Sequence, residues 1–147
     1  MRLFLDANIL FLAGYSMTSP VHDLLALARI GTGELVTSSY ALEEARRNLA
    51  RKGPAGWDSA LDRALEVISV VAEADAPSRD RARDAGLADP DDVPILAAAI
   101  HCRAARLVTG DRRAFDPHFG QHLGGVRIST LREALVVAWL SDALPEH

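Results

Sequence analysis

The sequence predicts an α/β protein, a single-domain three-layer α/β/α sandwich with a mainly parallel sheet. Short apolar segments alternate along the chain with longer helical patterns, and these segments are apolar throughout rather than at every second position. Strands of this kind are typical of parallel sheets that helices cover on both faces. No linker, repeat or low-complexity stretch divides the chain, so we expect one domain over residues 1–147.

Five segments have the composition of buried strands. The first is the run RLFL at residues 2–5, which ends at Asp6, and the third is rich in β-branched side chains. In chain order, the predicted strands are residues 2–5, 34–37, 67–71, 106–109 and 126–128.

The predicted helices between these strands are recognised by their start and stop residues. Pro20 begins a helix that stops at Gly31, and Ser38 or Ser39 caps the next one, which Gly53 ends. Residues 74–88 fit either a short helix or a loop. The other predicted helices are residues 8–15, 55–66 and 93–105, and a closing helix that begins after Thr130 with a capping box.

Composition excludes several classes of protein. The chain has 16 basic and 20 acidic side chains, a net charge of −4, which excludes a basic nucleic-acid coat protein but not a local basic patch. One cysteine, Cys102, rules out an intrachain disulfide and a cysteine-rich zinc site. No segment approaches the ~20 apolar residues that span a bilayer. We therefore expect a cytoplasmic protein without a membrane partner.

Four acidic residues fall where the predicted strands end or where the following helices begin. Asp6 ends the first strand and Asp111 follows the fourth, Glu44 lies early in the helix after the second strand, and Asp92 precedes the helix over 93–105. In parallel sheets, the functional crevice lies at the carboxyl ends of the strands. We expect these four carboxylates to share one rim of the sheet.

Such a cluster is unfavourable unless protons or a cation neutralise it. Two carboxylates about 4 Å apart repel each other by roughly 4 kcal/mol at an effective dielectric constant near 20. Hard oxygen ligands without cysteine or histidine favour Mg²⁺ or Mn²⁺ over zinc. Such an ion can activate water and stabilise the charge that develops on a phosphate, which indicates phosphodiester hydrolysis.

In their order along the chain, four segments resemble the motifs of PIN-domain nucleases. They are LDANIL at residues 5–10, YALEEARRNL at 40–49, DPDDVPILAAA at 89–99 and VTGDR at 108–112. The resemblance spans residues 3–128. It implies a three-layer α/β/α fold, a Mg²⁺- or Mn²⁺-dependent ribonuclease activity and an RNA substrate. It also implies a frequent role as the toxin of a bacterial toxin–antitoxin pair, with a cognate antitoxin protein as partner.

The resemblance also assigns roles to individual residues. Asp6, Glu44, Asp92 and Asp111 would form the catalytic and metal-binding cluster. Asn8 would support the Asp6 loop through hydrogen bonds, and Thr109 matches a small hydroxyl residue two positions before the last acid.

Two positions of the acidic cluster have competitors. Glu43 adjoins Glu44, and the spacing to Leu49 favours Glu44. Asp89, Asp91 and Asp92 are all candidates for the third acid. The spacing of seven residues to Ala99 favours Asp92, and Asp89 is then a further candidate for metal binding.

Three arginines adjoin the acids in sequence. Arg46 and Arg47 follow Glu44, and Arg112 follows Asp111, so we expect them to contact RNA phosphate. We also expect a homodimer, paired through the apolar residues 9–12.

Two alternative functions remain open, and a third is disfavoured. One is a PIN-like module that binds RNA or protein without turnover, and another is an RNA-processing nuclease outside any toxin–antitoxin pair. A phosphoacceptor domain would need a lysine at a late strand end, whereas the one lysine, Lys52, lies at a predicted helix end.

Overall fold

One six-stranded sheet runs through the protein, in a computed structural model that describes residues 1–143. The strands are β1 (Arg2–Leu5), β2 (Glu34–Thr37), β3 (Ile68–Val70), β4 (Arg106–Val108), β5 (His122–Leu123) and β6 (Val126–Ser129). They lie in the order β3-β2-β1-β4-β6-β5, and each neighbouring pair is parallel except β5 and β6. The mainly parallel sheet is therefore confirmed.

Helices cover both faces of this sheet. They are α1 (Ala7–Tyr15), α2 (Val21–Arg29), α3 (Ser39–Lys52), α4 (Trp57–Leu65), α5 (Ala76–Asp84), α6 (Val93–His101), α7 (Arg112–Phe115) and α8 (Leu131–Ala143). From β1 the chain adds β2 and then β3 towards one edge of the sheet, and it then crosses back to form β4 on the other side of β1. Right-handed crossovers therefore place α1 to α4 on one face and α5 with α6 on the other. In agreement, α1 packs against α3 and α4, and α5 packs against α6, which confirms the three-layer sandwich.

The centre of the core is β1, which pairs with β2 on one side and with β4 on the other. Leu3, Phe4 and Leu5 are fully buried. The next helix, α1, is apolar on nearly every side because Ile9 and Leu10 also lie in the core. The prediction that residues 9–12 form a dimer surface is therefore wrong for these two side chains.

Three further details differ from the sequence prediction. Helix α6 ends at His101 instead of at residue 105, because Arg103 adopts a φ of 58° and Ala104 N donates to Ala99 O at 3.0 Å. The short elements α7 and β5 were not predicted. Residues 74–88 contain α5, which begins where Asp75 Oδ1 accepts a hydrogen bond from Ser78 N at 2.9 Å.

The two edges of the sheet are short strands. At one edge lies β3, and at the other β5 covers β6 through a turn in which Gly124 and Gly125 both have positive φ. Over the described part of the chain, no helix has both the length and the apolar character that a membrane crossing requires.

Candidate active site

The first acid of the site, Asp6, follows β1. The chain adds β2 and β3 on one side of this strand and β4 on the other, so Asp6 lies at the point where the strand order reverses. Its backbone N–H donates to Val108 O at 3.0 Å, so the two strands are still paired at this point. The side chain is only 4% exposed. Oδ1 accepts from Ala7 N at 2.6 Å and caps α1, and Oδ2 accepts from the Thr109 hydroxyl at 2.7 Å. The local sequence thus fixes both carboxylate oxygens.

Burial dominates the electrostatics of Asp6. It raises the pKa of this carboxyl to about 6, against the lowering effect of the hydrogen bonds from Thr109 and Ala7. The nearby carboxylates Glu44 and Asp111 raise the pKa further. Asp6 therefore lies within electrostatic range of two of the predicted acids.

One buried hydroxyl links the ends of β1 and β4. Thr109 Oγ1 donates to Asp6 and accepts from Asn8 Nδ2 at 3.3 Å and from Asp111 N at 3.0 Å. Asn8 Oδ1 also accepts from Gly110 N at 2.9 Å. Asn8 therefore holds the loop after β4, and its support reaches Asp6 through the hydroxyl of Thr109.

The acid after β4, Asp111, has a second structural task. Its Oδ1 accepts from Ala114 N at 3.1 Å and caps α7. The side chain is half-buried. One carboxylate oxygen is thus engaged by the helix start.

The third acid, Asp92, ends a 3-10 turn (Pro90–Asp92) that leads into α6. Asp89 caps this turn, because its Oδ1 accepts from Asp91 N at 2.9 Å. The pKa of Asp92 rises to about 7 through burial first, and then through the charges of Asp111, Asp6, Asp89 and Glu44. All four predicted acids, with Asp89, therefore share one electrostatic field.

The fourth acid, Glu44, approaches from α3. This helix begins at the end of β2, where Ser38 Oγ accepts from Ala41 N at 3.2 Å. Glu44 is half-buried, whereas Glu43 is exposed. The charge of Glu44 contributes to the raised pKa values of both Asp6 and Asp92, so it lies within electrostatic range of these two acids.

A small cavity of about 350 Å³ opens at two of the four predicted acids, Asp92 and Asp111, which line it together with Asp89 and Arg113. Among the residues that the structure describes, no group of three or more histidine, cysteine, aspartate or glutamate side chains is placed so that it could hold a metal ion. The donor chemistry nevertheless fits Mg²⁺, which prefers carboxylate oxygens and usually keeps several waters. Neighbouring carboxylates contribute, after burial, to the raised pKa values of Asp6 and Asp92, and this repulsion is a physical reason why a cation would be favoured here.

Two residues of this region were not assigned from the sequence. Arg113 lines the acidic cavity, whereas Arg112, for which the sequence predicts a contact with RNA phosphate, does not line it; both arginines are exposed on α7. The Tyr40 hydroxyl donates to Asp91 O at 3.2 Å. Burial and the charges of Glu44, Asp91 and Asp92 raise the pKa of Tyr40, while Arg47 lowers it. Sequence analysis did not assign Arg113 because it did not predict α7. It did not assign Tyr40 because the contact with Asp91 joins residues that are distant in the sequence.

The predicted phosphate-binding arginines differ in exposure. Arg47 is exposed on α3 and lies near enough to Tyr40 to affect its pKa. Arg46 is half-buried on the same helix. Of the three, Arg47 is the one that the electrostatics connect to this region of the site.

Comparisons with known proteins agree with this fold. A family model described as the PIN domain matches residues 2–113. No curated protein matches the chain. A chain from a crystal structure of VapBC2 from Rickettsia felis, bound to a DNA fragment from the promoter, is similar in structure with a TM-score of 0.66. The match covers 88% of this chain and 98% of that chain at 18% sequence identity.

Proposed function

The chain belongs to the PIN-domain family, and from this premise we propose that it is a Mg²⁺- or Mn²⁺-dependent endoribonuclease. PIN domains are generally nucleases. The observation that carries the proposal is the proximity of Asp6, Glu44, Asp92 and Asp111: burial first, and then the charges of the other three acids and of Asp89, raise the pKa of Asp92 to about 7. Such a cluster has oxygen donors and negative charge suited to a divalent cation.

Each residue has a distinct task in this proposal. Asp6, Asp92 and Asp111 would hold the cation with Glu44, and Asp89 is a further ligand candidate. A bound ion of this kind activates water and stabilises the charge that develops on the phosphate. The Thr109 hydroxyl keeps Asp6 in a fixed orientation. Arg113, which lines the same cavity, offsets the repulsion between the acids and the phosphate.

Cleavage assays test the nuclease proposal. Purified protein would be incubated with single-stranded and structured RNA in Mg²⁺, Mn²⁺ or EDTA. We expect endonucleolytic cleavage of the single strand with either ion and none in EDTA. Asp111→Asn should lose the activity, and Asp116→Asn serves as its matched control because Asp116 is an exposed aspartate at the other end of α7. Cleavage that persists in EDTA would contradict the metal mechanism.

We further propose that the protein is the toxin of a type II toxin–antitoxin pair and acts in the cytoplasm. The fold shared with a chain of VapBC2 supports this role, and it supports a cognate antitoxin as partner. Expression of the wild-type protein should arrest bacterial growth, while Asp111→Asn should not. Co-expression of a short open reading frame from the same operon should restore growth.

The same assays separate the alternatives. RNA binding without cleavage would indicate a catalytically silent PIN-like module. Cleavage without growth arrest would indicate an RNA-processing nuclease outside a toxin–antitoxin pair. The homodimer also remains a prediction, and light scattering at tens of micromolar protein tests it directly.

A further inference from the structure

A second groove opens beside the candidate active site, at the carboxyl ends of β2 and β3. It has a volume of about 450 Å³ and lies between the start of α3, α5 and the start of α6. Its floor is mainly apolar and includes Val93, Pro94 and Ala97. Pro90 lines both this groove and the acidic cavity, so the two are adjacent. A ligand in the groove would therefore lie next to the acids.

Tyr40 is the aromatic residue that lines this groove. Its hydroxyl donates to Asp91 O, which ties α3 to the 3-10 turn and holds the ring in place. The side chain nevertheless remains 40% exposed. An aromatic ring that is held in position and open to solvent is a surface on which a nucleobase stacks.

Two arginines lie on the α5 side of the groove, one helical turn apart. Arg79 and Arg83 are both exposed. Arg79 Nη1 donates to Ala74 O at 2.6 Å, and Arg83 forms an exposed ion pair with Asp80 at 3.0 Å. Among the described residues that line the groove, the other charged side chain is Glu73, so the lining has a net positive charge. This contrasts with the net charge of −4 of the whole chain.

Resting on the proposed function, we propose that this groove binds the nucleotide next to the cleaved phosphate of a single-stranded RNA. The base stacks on Tyr40 above Val93 and Pro94, and Arg79 with Arg83 contacts a backbone phosphate. Apolar stacking surface and paired cations match the two parts of a nucleotide. A base held in a duplex is not free to enter such a groove, so the substrate is a single strand or a loop.

The stacking part of the proposal is tested with two short oligomers of equal length. One is a single-stranded oligoribonucleotide, and the other is the same ribose-phosphate chain without bases. In EDTA, where the RNA stays intact, the wild type should bind the first at least about tenfold more tightly, as expected for a stacked base. Tyr40→Ala should reduce this ratio towards one. Tyr40→Phe keeps the aromatic ring and should retain most of the difference in affinity between the two oligomers.

The phosphate part has a separate readout. The double variant Arg79→Ala/Arg83→Ala should weaken binding of both oligomers alike and lower the slope of log affinity against log salt by about 1.4. Arg81→Ala is the matched control, since Arg81 lies on the same helix and lines a different cavity. Its slope should equal that of the wild type.

The outcomes distinguish the groove from the catalytic proposal. Suppose that the wild type cleaves RNA and that the Tyr40 and arginine variants bind both oligomers with wild-type affinity. The groove proposal is then overturned, while the nuclease proposal stands. That result would leave the groove as a surface for a protein partner. If the base-dependent and salt-dependent effects appear without any cleavage, the nuclease proposal fails and the groove proposal is supported. Absence of RNA binding by the wild type overturns both.

Discussion

At Thr109, one buried hydroxyl contacts three groups of the candidate active site. It donates to Asp6 Oδ2 and accepts from Asn8 Nδ2 and Asp111 N. A hydroxyl has one proton to donate and two lone pairs to accept with, so its hydrogen-bonding capacity is filled. The same atom therefore sets the orientation of the buried acid and the path of the backbone that leads to Asp111.

Replacing this hydroxyl tests its role. Thr109→Val keeps the shape but removes the hydrogen-bond partner of Asp6 Oδ2 and of Asp111 N, which should cost about 1–3 kcal/mol of unfolding free energy. Since the Thr109 hydrogen bond lowers the pKa of Asp6, its loss raises that pKa, and the cost should grow as pH rises above about 6. Urea unfolding at about pH 5 and pH 8 measures this. Thr109→Ser, which keeps the hydroxyl, is the control, and equal losses at both pH values would contradict the argument.

The raised pKa values of Asp6 and Asp92 make stability depend on pH. In the folded chain these groups release protons near pH 6 and pH 7, respectively. In the unfolded chain, aspartate releases its proton near pH 4. Between these limits the folded state binds more protons, so stability in EDTA should fall as pH rises from about 4 to about 7.

Asp92→Asn should reverse part of this loss. The variant removes a charge that other carboxylates repel, and we expect its Tm in EDTA near pH 8 to rise by about 2–4 °C. Mg²⁺ should then stabilise the wild type more than the variant. Calorimetry with Asp116→Asn as the exposed control checks both effects. A variant that melts below the wild type in EDTA would argue that Asp92 lies outside a repulsive cluster.

At the scale of elements, the β5–β6 hairpin depends on two adjacent glycines. Both have positive φ, but a Cβ at Gly124 would lie 2.5 Å from Ile100 Cδ1, whereas a Cβ at Gly125 would meet nothing within 4 Å. Both positions thus require a positive φ, but only Gly124 packs closely against α6.

These glycines form a matched pair of substitutions. Gly125→Ala should cost about 1–2 kcal/mol, the penalty for a left-handed conformation. Gly124→Ala should cost a further 1–3 kcal/mol or so, because the overlap with Ile100 forces a shift in a packed region. Chemical denaturation of both variants measures the difference. Equal losses would show that the hairpin moves away from α6 without penalty.

The strength of the local signal decided which elements were predictable. Apolar runs identified β1 and β2, and the capping box was correct, since Glu133 N donates to Thr130 Oγ1 at 3.1 Å. The two-residue strand β5 is too short to show a period and exists because β6 offers it an edge. Helix α6 was predicted too long because Arg103 takes the left-handed position that glycine usually marks.

At the scale of the whole molecule, sheet topology explains why the acids could be predicted as a group. Parallel strands bring their carboxyl ends to one rim, so residues as distant as Asp6 and Asp111 meet without any local signal. Arg113 and Tyr40 were missed because their positions depend on a four-residue helix and on a contact across 51 positions of the sequence. The sequence therefore indicated which acids lie near one another, but not that Arg113 lines the acidic cavity or that Tyr40 bonds to Asp91.

The charge balance of the whole protein makes binding of RNA depend on a few cations. A chain of net charge −4 repels a polyanion, so local arginines must offset this repulsion. Replacing Arg46, Arg47 and Arg112 by alanine should weaken RNA binding and flatten its salt dependence, with little change in Mg²⁺ affinity. Among single arginine substitutions, Arg113→Ala should weaken RNA binding most, because Arg113 lines the acidic cavity. Binding titrations at several salt concentrations measure these effects, with Arg63→Ala on α4 as control.

The glycine turn that holds β5 against β6 also has a consequence for solubility. Of the four residues in β6, three are fully or almost fully buried, and β5 is the strand that pairs with its outer edge. A chain that opened at this turn would present the unpaired edge of β6, in which Val126 and Ile128 are apolar, and such an edge is the kind of surface on which further chains add. Two residues of β5 thus keep the protein from joining itself strand to strand, during folding as well as in concentrated solution.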